Sequence, residues 1–215
     1  MNKTSLSVKK AYDEWAEIYD TDNNPTRDLN AQTLRKASLS LENKRILEVG
    51  CGTGLNTKYL AQNAKQVVGL DISEEMLEVA RQRISEKNVR FKIGDITNNW
   101  NIKTASFDVI VANLVLEHIE NLRHVFNEAY RVLHYGGILY IAELHPYKQL
   151  SRSQARYVNP KTGEEIMVDA FLHSVSEYVN EALEEGFVLE KIKEHKHKED
   201  EIPRLLVLIF EKDHE

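Results

Sequence analysis

Short apolar runs alternate with stretches of mixed polarity over the first two thirds of the chain. Five runs are nearly continuous, which is typical of strands buried on both faces of a parallel sheet: residues 46–49, 66–72, 89–94, 107–114 and 137–144. The stretches before and between them have helical character and predict helices over residues 5–20, 26–40, 55–64, 74–86 and 122–133. This alternation of strand and helix predicts an α/β fold.

The pattern changes after residue 144. Residues 148–171 break the alternation, and a short hairpin is predicted over residues 156–168 with its turn at 159–163. A helix from about Ser174 to Glu185, a strand from Phe187 and a last strand over residues 203–212 complete the chain. With 215 residues, of which 42% are hydrophobic, the chain fits one domain with a real core.

Residues 45–57, RILEVGCGTGLNT, form the stretch around which the rest is organised. The first apolar run stops at three alternate glycines, Gly50, Gly52 and Gly54, where the backbone can turn tightly because no Cβ is in the way. The turn leads to a helix N-terminus, so a ligand can sit against bare backbone N–H groups. Cys51, inside the loop, is either a reactive thiol beside the ligand or a small side chain that fits a crowded turn, and the second interpretation is favoured.

Two carboxylates indicate the kind of ligand. Glu48 precedes Gly50 by two positions, and Asp71 ends the second apolar run, where an acid can accept hydrogen bonds from both hydroxyls of a ribose. The spacing Glu48-x-Gly50-x-Gly52-x-Gly54 is not the G-x-G-x-x-G of dinucleotide-binding folds. A carboxylate in the loop would repel a pyrophosphate but suits a cationic or amine-bearing ligand, which argues against an NAD-dependent oxidoreductase.

Charge and cysteine content exclude several classes of protein. The net charge of −6 argues against a broad nucleic-acid footprint, so no nucleic-acid partner is expected. No apolar run approaches membrane-spanning length and the N-terminus has no signal-peptide core, so we expect no membrane association and a cytoplasmic location. The single cysteine excludes an internal disulfide, and no His/Cys spacing resembles a zinc site, so no metal is expected.

Residues 45–57 together with residues 66–72 resemble the first two motifs of the class I S-adenosylmethionine (SAM) dependent methyltransferases of the small-molecule, ubiquinone-biosynthesis-like type. The segment YRVLHYGGILYIAE resembles the same family's later helix-turn-strand, and YDEWAEIYD its N-terminal helical cap. The resemblance implies a three-layer Rossmann-like sandwich with a mostly parallel seven-stranded sheet. It further implies the strand order 3-2-1-4-5-7-6, in which the last strand enters antiparallel between the fifth and the sixth.

The resemblance also assigns the cofactor, SAM, and the residues that bind it. The methionine part would be held by Glu48 and the loop of Gly50, Cys51, Gly52 and Gly54. The ribose would be bound by Asp71, the adenine by Ile72, Asp95 and Ile96, and the methyl-donor region by Asn113, partly through backbone carbonyls. Tyr12 or Tyr19 could reach the SAM carboxylate or the substrate, or these aromatics pack in the core. Asp95 could also serve only its turn.

His118 and His145 are the candidate general bases, since each follows a strand at the edge where open α/β sheets bind ligands. Their alternative roles are structural: His118 could cap the local turn, and His145 could fix the corner after the fifth strand. A base is needed only if the acceptor must lose a proton, because the methyl group of SAM is already activated.

We therefore expect a single methyltransferase domain with four segments: a helical cap (1–40), a cofactor-binding core (41–144), a substrate lid (145–173) and a C-terminal helix and strand pair (174–215). Its function would be methyl transfer from SAM to a small-molecule acceptor under the lid. The alternatives are a non-catalytic protein that binds SAM or S-adenosylhomocysteine, and a protein methyltransferase. A homodimer is compatible with the sequence, which identifies neither the acceptor nor the atom methylated.

Overall fold

The computed structural model describes residues 3–213, and its centre is a seven-stranded sheet. Its strands are β1 (Arg45–Val49), β2 (Gln66–Asp71), β3 (Val89–Ile93), β4 (Phe107–Asn113), β5 (Leu133–Leu144), β8 (Phe187–His195) and β9 (Leu205–Lys212), while β6 (Arg156–Val158) and β7 (Glu165–Met167) form a separate hairpin. The sheet order is β3-β2-β1-β4-β5-β9-β8. The predicted order is confirmed, with β9 antiparallel to both of its neighbours.

Helices cover both faces of this sheet. They are α1 (Lys3–Trp15), α2 (Pro25–Lys36), α3 (Leu55–Ala61), α4 (Glu74–Arg83), α5 (Leu122–Val132), α6 (Pro146–Leu150) and α7 (Val175–Glu184). One core joins the sheet to α2 and α3 through Leu34 and Leu60, and the other joins it to α5 and α7 through Phe126 and Tyr178. The predicted three-layer α/β class is confirmed, because side chains on both faces of the central strands are buried.

Several element boundaries differ from the sequence expectation: α2, α3 and α4 end at Lys36, Ala61 and Arg83, three or four residues before their predicted ends. Helix α1 ends at Trp15 instead of Asp20, because the Arg27 guanidinium draws the carbonyl groups of Tyr19 and Asp22 to itself and the chain turns there. Strand β5 begins at Leu133, four residues before the predicted start, because the fully buried Leu133 already pairs with β4.

The predicted hairpin is confirmed and lies against α1. Tyr157 of β6 stacks on Trp15 with a centroid distance of 5.3 Å, and its hydroxyl donates to a carboxylate oxygen of Glu14 at 2.8 Å. Trp15 is also stacked with Tyr12, at a centroid distance of 5.8 Å. The hairpin and the N-terminal helix therefore form one packed unit beside the carboxyl ends of the strands. No helix within residues 3–213 is long and apolar enough to cross a membrane.

Candidate active site

Four strand ends define a cavity at the carboxyl edge of the sheet. Asp95 follows β3, Asp71 ends β2, Gly50 follows β1 and Asn113 ends β4, and all four line the cavity. The sheet order places them in a row, and Tyr12 of α1 lies in the same lining. Open α/β sheets bind their ligands at this edge, because the loops there diverge from neighbouring strands.

Two structural features favour glycine at position 50. Its φ is +68°, in the left-handed region, and a Cβ at this position would lie 2.6 Å from the side chain of Val115. Gly52, at φ +51°, has nothing within 4 Å of its Cβ position, so only its backbone conformation favours glycine. The cofactor loop is therefore packed tightly against the residue that begins the turn after β4.

Asp71 organises the loop from the neighbouring strand. One carboxylate oxygen accepts from the Gly52 N–H at 2.8 Å, and the other accepts from the Ser73 N–H at 2.9 Å. Burial raises the pKa of Asp71, and these backbone hydrogen bonds act in the opposite direction. Each oxygen keeps a further lone pair for a ligand hydroxyl, so the predicted contact with a ribose is compatible with the contacts seen.

Three predicted residues lie together at the other end of the cavity: Ile72, Asp95 and Ile96 all line it. One oxygen of Asp95 accepts from both the backbone N–H and the hydroxyl of Thr97, at 2.9 and 2.7 Å. Asp95 therefore serves its turn and also faces the cavity. Apolar side chains beside a fixed carboxylate suit an adenine ring, which needs both a flat contact and an acceptor for its amino group.

Asn113 belongs to a buried chain of amides. Its Oδ1 accepts from Nδ2 of Asn30 at 3.3 Å, and the same Nδ2 is 3.3 Å from the carbonyl oxygen of Ala142. Asn113 is only 9% exposed, and its Nδ2 has no hydrogen-bond partner among residues 3–213. A buried donor in a cavity wall is a candidate contact for a ligand acceptor.

His118 pairs with Tyr12 at the cavity wall. Its Nε2 lies 2.8 Å from the Tyr12 hydroxyl, and its Nδ1 lies 2.6 Å from the carbonyl oxygen of Asp169. A carbonyl oxygen can only accept, so Nδ1 carries the hydrogen of the neutral ring and Nε2 accepts from Tyr12. Burial raises the pKa of the Tyr12 hydroxyl well above its usual range.

Glu143 holds the turn that presents His118. Its oxygens accept from the backbone N–H groups of Val115 and Leu116 at 3.1 Å and of Glu117 at 3.3 Å. Burial, followed by the neighbouring Glu117, raises the pKa of Glu143 to about 8. The carboxyl group therefore caps three backbone donors of this short turn.

A second cavity of about 360 Å³ adjoins the first. The two share Tyr12, Tyr19 and Leu114 in their linings. Residues of α1, of the start of α2 and of the hairpin line the second cavity, together with Glu117, Arg204 and other polar side chains. Its volume is in the range of small-molecule pockets. Tyr12 and Tyr19 thus stand at the junction of the two cavities.

Four predicted site residues are not in the lining of either cavity: Glu48, Cys51, Gly54 and His145. The Glu48 carboxyl lies behind the loop and accepts from the Thr57 hydroxyl, and burial raises its pKa to about 8. Burial also raises the pKa of the Cys51 thiol, as expected for a small side chain packed into the turn.

His145 occupies the corner between β5 and α6. Its Nδ1 accepts from the Tyr147 N–H at 3.1 Å, and its Nε2 is 2.8 Å from a carboxylate oxygen of Glu194. The side chain is fully buried. The structure therefore favours the second of its two predicted roles, since both ring nitrogens already have partners away from the cavities.

Sequence reasoning missed Asn30, the positioning contacts of Glu143 and the pairing of Tyr12 with His118. Tyr12 is one of several aromatic residues at helical spacing, and the same pattern is typical of side chains that only pack in a core. Asn30 carried no signal, because its partners are 83 and 112 residues away.

Comparison with known proteins agrees with this geometry. Residues 47–141 match a family model described as a methyltransferase domain. A demethylmenaquinone methyltransferase of Tropheryma whipplei is 28% identical over 201 residues, covering 88% of this chain and 81% of the relative. A crystal structure of an S-adenosylmethionine dependent methyltransferase from Mesorhizobium loti superposes with a TM-score of 0.72 at 20% identity, covering 84% of this chain and 96% of that one. A DhpI–SAH complex gives a TM-score of 0.76 at 19% identity, with 98% of each chain covered.

The fold and the cavity at the strand ends define an α/β enzyme that uses a nucleoside cofactor. The family match over residues 47–141, the demethylmenaquinone methyltransferase relative and the SAM-dependent neighbours in fold together support a class I SAM-dependent methyltransferase, with SAM as its cofactor. The residues at the strand ends suit this cofactor, because Gly50 leaves bare backbone in the cavity lining, Asp71 is a buried acid at the end of β2 and Asn113 offers an amide donor at the end of β4.

Proposed function

We propose that this enzyme methylates a small-molecule acceptor held in the second cavity, and that Tyr12 and His118 take the proton that the acceptor loses. The observation that carries the proposal is the position of Tyr12. Its side chain lines both cavities, and its hydroxyl is 2.8 Å from a ring nitrogen of His118. A hydroxyl at the junction of donor and acceptor sites is placed to receive a proton as a methyl group arrives.

The proton would move along a fixed path. As the acceptor hydroxyl or amine loses its proton to the Tyr12 oxygen, the Tyr12 proton passes to Nε2 of His118. The imidazolium that forms keeps its Nδ1–H on the carbonyl oxygen of Asp169. The buried carboxyl of Glu117, the residue before His118, stabilises that positive charge when it is ionised.

The cofactor supplies an activated methyl group, and the chain's residues supply position and water exclusion. In this proposal the loop of Gly50 and Gly52 holds the methionine part, Asp71 holds the ribose, and Ile72, Asp95 and Ile96 surround the adenine. The packed unit of α1 and the hairpin supports the further proposal that residues 145–173 act as a lid.

Two observations favour a small-molecule acceptor. The second cavity is closed on several sides by Trp15, Tyr157 and their neighbours, which leaves room for a small ligand and restricts the approach of a folded protein. A relative that matches most of the chain is named as a demethylmenaquinone methyltransferase, whose acceptor is a small molecule by that name.

The test separates the candidate functions. A cell extract is divided by ultrafiltration into small molecules and proteins, and each fraction is incubated with the enzyme and methyl-labelled SAM. We expect label only in the small-molecule fraction. Label in protein would favour the protein methyltransferase. No label in either fraction, with SAM still bound, would favour the binding protein.

The proton path is tested on the same reaction. Tyr12→Phe and His118→Gln should each slow methyl transfer by about 10²–10⁴-fold while leaving the affinity for S-adenosylhomocysteine nearly unchanged. Tyr140→Phe and His134→Gln are the matched controls, since both residues lie outside the two cavities. A full rate in His118→Gln would exclude His118 as the proton acceptor.

A further inference from the structure

Asn30 is a buried residue of α2 whose hydrogen bonds fix the direction of a second amide. Its Nδ2 is 3.3 Å from the main-chain oxygen of Ala142, and that oxygen can only accept. The edge of Asn30 that faces Ala142 is therefore its NH₂ group. The same NH₂ group is 3.3 Å from the nearest side-chain polar atom of Asn113, which must then be Oδ1.

The NH₂ group of Asn113 is consequently turned away from Asn30. Asn113 lines the cofactor cavity and is 9% exposed, and its Nδ2 has no hydrogen-bond partner among residues 3–213. Buried polar groups in native proteins are nearly always paired, so this donor calls for an acceptor on a ligand.

The order of the strand ends indicates which part of the cofactor reaches the NH₂ group of Asn113. This step rests on the cofactor placement in the proposed function. With the adenine at Asp95 and the ribose at Asp71, the methionine part extends past Gly50 towards Asn113. The methionine part carries one anionic group, its carboxylate. An N–H donor serves a carboxylate and is poorly matched to the ammonium group beside it.

The residues that line the cofactor cavity also indicate that Asn113 binds the carboxylate of SAM. Among the described residues that line the cofactor cavity, none is Lys or Arg. Arg27, at the start of α2, donates to the carbonyl oxygens of Tyr19 and Asp22 and pairs with Asp28. A carboxylate in this cavity would therefore depend on amide and backbone donors.

We propose that Asn30 is a positioning residue that orients Asn113, so that Nδ2 of Asn113 donates to the carboxylate of SAM. Asn30 never touches the cofactor in this scheme. It acts by offering its own NH₂ group to Oδ1 of Asn113, which leaves only the NH₂ group of Asn113 to face the cavity. Helix α2 thereby contributes to cofactor selection from outside the cavity.

The test compares SAM with decarboxylated SAM, which is also a sulfonium and keeps the amine, by isothermal titration. Asn30→Asp replaces the NH₂ group with an oxygen, so Asn113 should rotate and present Oδ1 to the cavity. We expect the affinity for SAM to fall by about tenfold to a hundredfold, the usual range for a hydrogen bond to a charged group. The affinity for decarboxylated SAM should stay within about twofold.

Asn88→Asp is the matched control. Asn88 also donates from a side-chain amide to backbone carbonyls, those of Ala61 and Ala64, but it lies outside the cavity lining. This variant should leave the ratio of the two affinities unchanged. If Asn30→Asp does not fold, Asn113→Ala must show the same selective loss of SAM affinity.

Equal weakening of both ligands by Asn30→Asp would show a merely structural role and would overturn the inference, as would unchanged affinity for SAM. The outcome is separate from the proposed function. A wild-type protein that binds SAM through its carboxylate but methylates nothing contradicts the proposed function alone.

Discussion

Replacing Gly50 with alanine tests the contact on which the cofactor loop depends. The substitution adds two costs: a left-handed L-residue at φ +68° and a Cβ placed 2.6 Å from Val115. The first costs about 1–2 kcal/mol and the second, as overpacking, about 1–3 kcal/mol. The expected loss in the free energy of unfolding is therefore about 2–5 kcal/mol, a large share of a typical stability of about 5–15 kcal/mol.

Gly163→Ala separates the two costs. Gly163 lies in the hairpin turn at φ +72° with nothing within 4 Å of its Cβ position, so it carries the backbone cost without the clash. Urea unfolding of both variants should give a difference of about 1–3 kcal/mol, the steric part alone. Gly50→Ala should also weaken S-adenosylhomocysteine binding, whereas Gly163→Ala should leave it unchanged.

Val115 supplies a further control within the same contact. Its own Cβ is one of the atoms at 2.6 Å, so Val115→Ala leaves that clash in place and should rescue Gly50→Ala only in part. The reasoning is refuted if Gly50→Ala and Gly163→Ala lose equal stability, because the close approach to Val115 would then carry no energy.

Three further outcomes follow from the buried polar groups. Burial sets the folded pKa of Glu48 at about 8 against an ordinary 4.5, so the native state binds the extra proton between these values and loses stability as pH rises through that window. Glu48→Gln keeps an acceptor for Thr57 and removes this loss of stability. Its free energy of unfolding should match that of the wild type near pH 4.5 and exceed it near pH 8. The difference should grow by at most about 1.4 kcal/mol per pH unit between these values. His145→Ala should cost about 1–3 kcal/mol in urea unfolding and leave S-adenosylhomocysteine affinity unchanged, whereas a large loss of affinity would contradict its corner role. Ser73→Ala removes the N-cap acceptor for Met76 and should cost about 1 kcal/mol, measured in the same way; no change would mean that the cap is replaced by water.

The strand-end residues that line the first cavity could be predicted because each of them follows a strand. Asp71, Asp95 and Asn113 are separated along the chain, but parallel strands end at one edge, and the order of the sheet brings those ends into a row. The local sequence pattern was therefore enough to predict where these residues lie. Glu48 is the exception: its place in the sequence is beside the glycine loop, yet its side chain turns to Thr57 behind it.

The contact between Tyr12 and His118 could not be predicted in the same way, because it joins distant elements. Tyr12 and His118 are 106 residues apart, and the carbonyl that fixes the tautomer of His118 is 51 residues from it. Helical spacing of aromatics does not distinguish a tyrosine that packs from one that also meets a histidine.

His118 and His145 show how environment separates two residues that are equivalent in sequence. Each follows a strand at the active-site edge, and each has both ring nitrogens engaged. The partners of the two rings differ. One nitrogen of His145 caps a helix and the other contacts a carboxylate. One nitrogen of His118 contacts a backbone carbonyl oxygen and the other contacts the hydroxyl of Tyr12. A base needs a partner through which protons can leave and return, and only the second arrangement reaches both cavities.

Tyr12 of α1 lines both cavities and Asn30 of α2 contacts Asn113 in the cavity wall, so both N-terminal helices contribute to a site whose polar groups lie mainly at strand ends. In the proposed scheme the first helix supplies the proton path and the second sets the direction of a cofactor donor. The two groups act on different ligands. Tyr12→Phe should therefore lower the rate of methyl transfer without changing the affinity for SAM. Asn30→Asp should lower the affinity for SAM but not that for decarboxylated SAM. If both substitutions changed the same quantity, the helices would be acting only as a cover, and the division of roles argued from their contacts would be wrong.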